Sequence, residues 1–305
     1  MFANHREKLR RVDKTTVKLK GIHFTKAFLF GLFRYVLLIG ICFAILYPLL
    51  FKVAAMFMGP DDLIDPTVKY FPREFSLDNI KRTMEALNYW ETLLNTLLLS
   101  LSVALIQTFI SAMVGYGLAR FKFRGRTVLF GLMLLTIVIP PQTTLTPLFI
   151  QFRNLGILNT ILPFILMSLT CLGLKNGLYI FILSQSFRGL PKALEESAYI
   201  DGAGAYRTFF RIVLPNARAM LITVFLFSFT WQWTESTYTS LFLPSFNVFS
   251  ALMTKVADIV NENSPVIASA LDNTAIILVI IPIILIYVVL QRYFVESMET
   301  SGIVG

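Results

Sequence analysis

Side chains able to make or break bonds are few in this sequence and never gather. The two histidines, His5 and His23, fall in a basic N-terminal arm, and the two cysteines, Cys42 and Cys171, sit inside apolar runs. A metal centre needs His, Cys or carboxylate ligands at short spacing; none occur so, and no metal site is expected. The thiols read as buried and reduced. No glycine-rich loop ending in Lys-Ser or Lys-Thr is present to cradle nucleotide phosphates, so any ATP that drives this protein must be bound by another chain. A membrane enzyme would need a convergent nucleophile, base or metal set, and none is found. The chain reads as a non-enzyme.

The richest polar constellation lies at 189–215, GLPKALEESAYIDGAGAYRTFFRIVLP. Pro191 suits the first turn of a helix, where its missing N–H costs nothing. Glu195 and Glu196 follow near that N-terminus, where the helix dipole favours negative charge. Leu194, Ala198 and Tyr199 share one face at helical spacing. Asp201-Gly202 ends the helix, because glycine accepts backbone angles that other residues resist. A second short segment, apolar on one side through Phe209, Phe210, Ile212 and Val213, closes at Leu214-Pro215. The result is a helix–turn–helix whose small residues Ala198, Gly202, Ala203 and Gly204 permit close approach. Such an element suits docking. The same periodicity also fits an amphipathic connection resting on lipid headgroups, and periodicity alone leaves both readings open.

Other polar side chains fall inside apolar stretches. Lys175 is expected near the middle of a membrane span, where a cation is costly and either faces a water-filled path or pairs structurally. Trp231, Trp233 and Glu235 combine aromatic faces that stack on sugar rings with a carboxylate that accepts hydroxyl hydrogen bonds. An interfacial aromatic belt would place tryptophans and Tyr238 at the same depth, so that alternative stays open. Gln107 and Gln142 are further polar residues at membrane depth.

The elements that position these residues are membrane helices. The 305-residue chain is 56% hydrophobic and only 15% charged, whereas a soluble domain carries about a quarter charged residues. Six apolar stretches approach the length of a bilayer-spanning helix: 35–58, 92–119, 127–150, 159–184, 217–241 and 273–294. Pro140-Pro141 predicts a kink in the third, serving either packing or a pathway. The net charge of +9 is not spread as a nucleic-acid footprint. Its positives cluster in the N-terminal arm (Arg6, Lys8, Arg10, Arg11, Lys14, Lys18, Lys20, Lys26), in Arg120-Phe-Lys122-Phe-Arg124-Gly-Arg126, and at Arg188, Lys192, Arg207, Arg211 and Arg218. Asp61, Asp62, Asp65, Glu74, Asp78, Glu85 and Glu91 crowd the first connection instead, and 242–272 is poor in Lys and Arg. Basic connections stay in the cytoplasm, so six spans with both termini inside are expected. The first apolar stretch is full-length without a small-residue cleavage site and reads as an uncleaved helix.

The expected fold is therefore all-α and polytopic, with six transmembrane helices and a cytoplasmic helix–turn–helix. Its divisions are a basic arm at 1–34, a first span at 35–58, an extracellular loop at 59–91, a five-span core at 92–294 and a tail at 295–305. Paired intramembrane carboxylates would suit an ion-coupled carrier, and the spans hold none apart from Glu235 near an outer end. The absence of an internal repeat points the same way.

The 189–215 stretch resembles the EAA loop of binding-protein-dependent ABC importer permeases. That pattern runs Glu-Ala-Ala, three residues, Gly, then Ile-x-Leu-Pro; here stand Glu196-Ser197-Ala198, Gly202 and Ile212-Val213-Leu214-Pro215. Ile200-Asp201-Gly202-Ala203 resembles the carbohydrate branch, on the MalG-like side. The departures are Ser197 for alanine and Ala219 where a second proline often follows. Phe75-Ser76-Leu77-Asp78-Asn79, Asn95-Thr96-Leu97 and Gly115-Tyr116-Gly117-Leu118-Ala119-Arg120-Phe121 are similar to the family's second span and its flanks. Trp233-Thr234-Glu235 replaces a frequent Trp-Asn-Glu, and the tail Ser301-Gly302-Ile303-Val304-Gly305 lacks a frequent lysine.

The resemblance implies an assembly in a bacterial cytoplasmic membrane: a second permease, different from this one, two ABC ATPases and an extracellular solute-binding protein. ATP and magnesium would reside on the ATPases and no cofactor on this chain. The loop's first helix would insert into an ATPase cleft, with Glu195, Glu196, Ala198, Asp201, Gly202, Ala203 and Gly204 coupling ATP use to import of a sugar or oligosaccharide. Import of a non-sugar solute is the alternative within the same family.

Overall fold

The computed structural model describes the backbone of residues 3–302 and the side chains of residues 28–293. The basic side chains expected in the arm, Arg6 to Lys26, and the tail residues Ile303 to Gly305 lie outside those described. Every regular element among the described residues is helical: α1 (Ala3–Met56), α2 (Pro60–Ile64), α3 (Asp78–Ala86), α4 (Tyr89–Arg120), α5 (Arg126–Val138), α6 (Gln142–Asn154), α7 (Leu162–Leu169) and α8 (Asn176–Gly189). Then follow α9 (Ala193–Ile200), α10 (Ala205–Thr208), a π-helical turn (Phe209–Val213), α11 (Leu214–Asn216), α12 (Arg218–Thr234), α13 (Thr237–Phe242), α14 (Phe249–Leu252), α15 (Val256–Ile259) and α16 (Pro265–Gly302).

The chain forms two compact units divided after Ser76. In the first, the apolar part of α1 exposes every side chain from Phe28 to Phe51. A helix apolar on all sides has no soluble face, which suits lipid as its solvent. The connection after it is stitched by polar contacts. Asp62 accepts the backbone N–H of Arg73 at 2.8 Å, and Asp65 accepts the amide and hydroxyl of Thr67 at 2.9 and 2.7 Å. Asp65 also pairs with the Arg73 guanidinium. The Thr67 hydroxyl and amide, then Arg73, hold the Asp65 carboxyl below its ordinary range. Tyr47 and Tyr70 share a hydrogen bond of 2.9 Å, and Phe75 packs edge-on against Phe57.

In the second unit α4 is central, packing against α7, α8 and α12. Its buried face is small and weakly polar: Ser100, Ala104, Ser111, Ala112, Gly115 and Ala119 among others. Small residues let membrane helices approach closely where lipid removes the hydrophobic drive between them. Gly115 is the tightest case along α4: a Cβ there would stand 3.2 Å from the Ser184 amide and 3.3 Å from the Ile180 carbonyl. α12 packs on α16, where the Trp233 indole donates to the Val279 carbonyl at 3.2 Å. Beyond their ends, Arg82 on α3 pairs with Glu262 at 2.7 Å, joining two connections 180 residues apart.

Among the described residues, three helices are long and apolar enough to cross a membrane, Phe28–Met56, Tyr89–Arg120 and Pro265–Tyr293. Two bent pairs raise the number to five: α5 with α6, bent by 98°, and Ala205–Asn216 with α12, bent by 81°. The expected kink at Pro140-Pro141 is thus close to a right angle. The expected fourth span is also interrupted, between α7 and α8. The expected fifth span, 217–241, is likewise divided, into α12 and α13, so three of the six apolar stretches are uninterrupted helices.

Candidate functional site

The 189–215 stretch folds as two helical pieces around a sharp turn. α9 begins at Ala193 after Lys192 at the N-cap position, with Glu195 and Glu196 in its first turn. It closes at Gly202, whose φ of +78° is a conformation only glycine adopts without strain. There the Ala203 amide bonds the Ala198 carbonyl at 2.9 Å and the Gly202 amide bonds Tyr199 at 3.1 Å. These two bonds form the paired C-terminal cap known as a Schellman motif. Gly204 opens the second piece, which passes through the π-helical turn and ends at Asn216. π-turns are rare and concentrate at functional sites.

The two sides of this element do different work. Glu195 turns inward: its Oε1 lies 2.7 Å from Arg120 Nε, and its Oε2 accepts the Tyr116 hydroxyl at 3.2 Å. The Glu195 and Arg120 side chains are 10% and 8% exposed, so their charges meet away from bulk water. Arg120 also donates to the Leu190 carbonyl at 2.7 Å, holding the entry to α9 against the end of α4. Thr208, Phe209, Val213 and Ala217 are buried. Phe209, Val213 and Ala217 join Tyr116, Tyr179, Leu183 and Phe187 in one apolar cluster. Breaking a buried ion pair by removing one partner typically costs ~3 kcal/mol or more.

The outward side is open. Glu196, Ile200, Asp201, Gly202, Gly204 and Tyr206 are exposed, Ile200 at 86% and Tyr206 at 76%. Ala198 departs from the expected docking knob: it is 5% exposed and packs inward, because it lies three residues after Glu195 on the same face. Leu194 and Tyr199, expected to share that face, are exposed. Arg120 and Tyr116 entered the sequence reading only as parts of a basic connection and a family match. Their i,i+4 spacing at the end of a span, aimed at a carboxylate in the next short helix, was the available signal.

The membrane-depth residues sort just as sharply. Lys175 is not inside a helix; it sits at φ +59° in the break before α8. Its ammonium lies 4.9 Å from the Trp231 ring centroid, a cation–π geometry, and both side chains are exposed. Gln142 is exposed where the chain turns into α6. A cavity of about 200 Å³ lies between the two breaks, lined by Pro140, Pro141, Thr144, Cys171, Lys175 and Tyr238 among others.

Trp233 and Glu235 are not free to line a path. Trp233 is fully buried, packed against Phe229 and Phe249. Glu235 spends both oxygens on the start of α13: Oε1 accepts Thr237 N–H at 2.9 Å, and Oε2 accepts Tyr238 and Thr239 N–H at 2.8 and 3.0 Å. A carboxylate beside free N–H groups at a helix start is a cap, not a vacant acceptor. Gln107 is likewise structural. It accepts the Ser228 hydroxyl, and its Nε2 stands 3.5 Å from the Leu174 carbonyl. A Cβ on Gly173 would come within 1.9 Å of that nitrogen, so any larger residue there would displace the Gln107 amide.

The carbonyls freed at the first break are recovered locally. Thr143 and Thr144 hydroxyls donate to Pro140 and Pro141 at 2.8 and 2.9 Å, and Tyr238 donates to Pro141 at 2.9 Å. Irregular backbone at membrane depth persists only where such partners exist or a water-filled cavity adjoins.

Residues 107–300 match the family described as binding-protein-dependent transport system inner membrane component. The chain is 28% identical over 273 residues to the probable ABC transporter permease protein YurM of Bacillus subtilis (strain 168), covering 86% of this chain and 85% of that one. It is 29% identical over 271 residues to the arabinooligosaccharides transport system permease protein AraQ of Halalkalibacterium halodurans, covering 87% and 93%. It is 27% identical over 277 residues to the diacetylchitobiose uptake system permease protein NgcG of Streptomyces coelicolor, covering 88% of each. Among solved structures, a bacterial ABC transporter involved in importing the acidic polysaccharide alginate matches with a TM-score of 0.74 at 20% identity, over 87% of this chain and 96% of that one. That likeness is one of fold.

Proposed function

This chain belongs to the family of binding-protein-dependent transport system inner membrane components, and from that premise we propose that it carries a sugar or oligosaccharide across a bacterial cytoplasmic membrane as one permease of an ATP-driven importer. It is a transport component and not an enzyme. Relatives named for arabinooligosaccharides and diacetylchitobiose support the carbohydrate class. Six spans with both termini in the cytoplasm remain our reading, resting on the basic connections and on counting each broken apolar stretch once. The divisions 1–34, 35–58, 59–91, 92–294 and 295–305 follow from it.

In this reading α9 is the coupling helix. Glu196, Asp201, Gly202, Ala203 and Gly204 meet the cleft of a cytoplasmic ATPase, while Glu195 and Ala198 fix the helix to its own subunit. The single observation that carries the proposal is this two-sidedness: one face joined to α4 by Glu195–Arg120, the other exposed. Two ATPases with ATP and magnesium, a second and different permease, and an extracellular solute-binding protein complete the assembly. Lys175, Trp231 and Gln142 are the side chains we assign to the sugar path, since their exposure leaves them free to meet a ligand.

Co-purification tests the coupling role. The wild-type chain, co-expressed with its partner permease and ATPase, is expected to elute with the ATPase in detergent. The Glu196→Ala/Gly202→Pro variant is expected to keep the partner permease and lose the ATPase. Purification of both forms without ATPase, while uptake follows an ion gradient, would replace this reading with an ion-coupled carrier.

A further inference from the structure

A second concave site lies beside the coupling element, with a different chemistry. Where α4 ends, α5 begins and α8 ends, a cavity of about 600 Å³ opens, and five of its eight lining residues are cationic: Arg120, Lys122, Arg126, Arg188 and Lys192. Arg120 is neutralised by Glu195. Among the described residues the other four make no ion pair. Arg126 donates to the Ala119 carbonyl at 3.2 Å, and the Arg188 guanidinium lies 4.8 Å from the Phe130 ring centroid. Four uncompensated positive charges around one cavity repel each other, and an anion relieves that repulsion.

The start of α5 points to the same ligand. Its first turn contains no acidic residue and instead carries Arg126, although a helix N-terminus is itself positive. The first N–H groups of a helix lack intrahelical partners and favour phosphate oxygens. Beyond this turn α5 has no buried residue, and Val128, Leu132, Leu135 and Val138 are 51–77% exposed along 11 residues of apolar surface. A free phosphate would use the charged cavity and ignore this track. A molecule with an anionic head and acyl chains uses both.

We propose that this cavity binds the headgroup of an anionic phospholipid, whose acyl chains lie along α5. The headgroup's phosphate is held by Lys122, Arg126 and Arg188, with Lys192 at the start of the coupling element closing the ring. The leaflet, the cytoplasmic one, rests on the orientation proposed above; the binding itself does not. Because Lys192 and Arg120 touch both the cavity and α9, the lipid also braces the coupling element.

The test is lipid retention. The purified permease, alone and with its ATPases bound, is placed in nanodiscs of phosphatidylcholine doped with phosphatidylglycerol, then re-extracted, and the retained lipid is quantified. The expected result is selective retention of phosphatidylglycerol in both forms, reduced at least about tenfold in Lys122→Gln/Arg126→Gln/Arg188→Gln. The single Lys122→Gln change, at an exposed and unpaired side chain, is expected to reduce it severalfold without disturbing folding; Arg124→Gln, outside the cavity, is expected to leave it unchanged. Equal retention by wild type and the Lys122→Gln and triple variants would overturn the proposal. So would displacement of the lipid by millimolar inorganic phosphate, which assigns the site to a free anion. Retention only after the ATPases are stripped would make the cavity a protein contact and overturn it equally.

Discussion

The end of the second unit that carries α9 and the region between its two helix breaks differ in how they treat polar groups. On the inward side of α9, Glu195 and Arg120 are buried and matched, inside a shell of Tyr116, Phe187 and Phe209. Around Pro140–Pro141 and Cys171–Lys175, the backbone is interrupted, the carbonyls are met by threonine and tyrosine hydroxyls, and a cation sits over an exposed indole. The first arrangement resists deformation, because separating a buried ion pair costs several kcal/mol. The second is held by hydrogen bonds worth ~1 kcal/mol each and can rearrange in small steps. Force is best carried by the stiff region, and a passing solute is best accommodated by the soft one.

The largest effect expected is from Gly202→Pro. Proline removes the N–H that bonds Tyr199 and cannot adopt a φ of +78°, so the cap of α9 is lost. Uptake into vesicles is expected to vanish while membrane insertion, read by protease protection of the loops, stays normal. Normal uptake would dissolve the distinction between the two regions. Next in size, Glu195→Gln is expected to destabilise the detergent-solubilised protein by ~3 kcal/mol, read as a lowered thermal midpoint. Adding Arg120→Gln is expected to recover part of that loss, since the arginine is no longer left unmatched. Additive losses would mean the pair is not coupled.

Smaller still, Lys175→Met and Trp231→Leu are each expected to raise the KM of uptake severalfold, with the thermal midpoint nearly unchanged. A drop in stability without a change in KM would make the Lys175–Trp231 contact structural and remove it from the proposed sugar path. The smallest effect concerns Glu262, whose carboxyl is held below its ordinary range first by Arg82 and then by the Ser264 amide. A carboxyl lowered in the folded state adds stability that is present above its ordinary value of 4.5 and is lost as pH falls through its folded value. Wild type is therefore expected to lose thermal stability on going from pH 7 towards acid by slightly more than Glu262→Gln does. Identical pH profiles would show that this contact adds nothing.

The sequence made the helical class, the family and the turn at Gly202 readable, because each rests on local composition or spacing. Apolar length marks a membrane helix, and Gly202 is the residue a left-handed cap demands. What could not be read was direction. Glu195 and Glu196 are neighbours of equal chemistry, yet one is paired inside and the other exposed, and only the position of Arg120 on α4 separates them. Trp233 and Trp231 differ in the same way: two residues apart on a helix, they point to different faces. Glu235 looked like a sugar acceptor because its three N–H partners belong to a short helix with no apolar period of its own. The breaks were half visible. Pro140-Pro141 announced one, while the other rests on Cys171 and Lys175 adopting positive φ, which neither residue type signals.

The 81° bend at Ala217 has a mechanical consequence. Ala217 is 4% exposed, and its N–H bonds both Val213 and Leu214, so the elbow is set and not loose. At 1.5 Å per residue α12 is about 25 Å long, and the other arm, Ala205–Asn216, is shorter, with a π-helical turn in its middle. Their geometry is that of a bell crank. Rotation of the short arm about the elbow swings the tip of the long arm, near Trp231 and Thr234, through a wider arc. For two arms turning as one rigid body, a displacement at Ala205 would be enlarged at the far end by lever ratio alone.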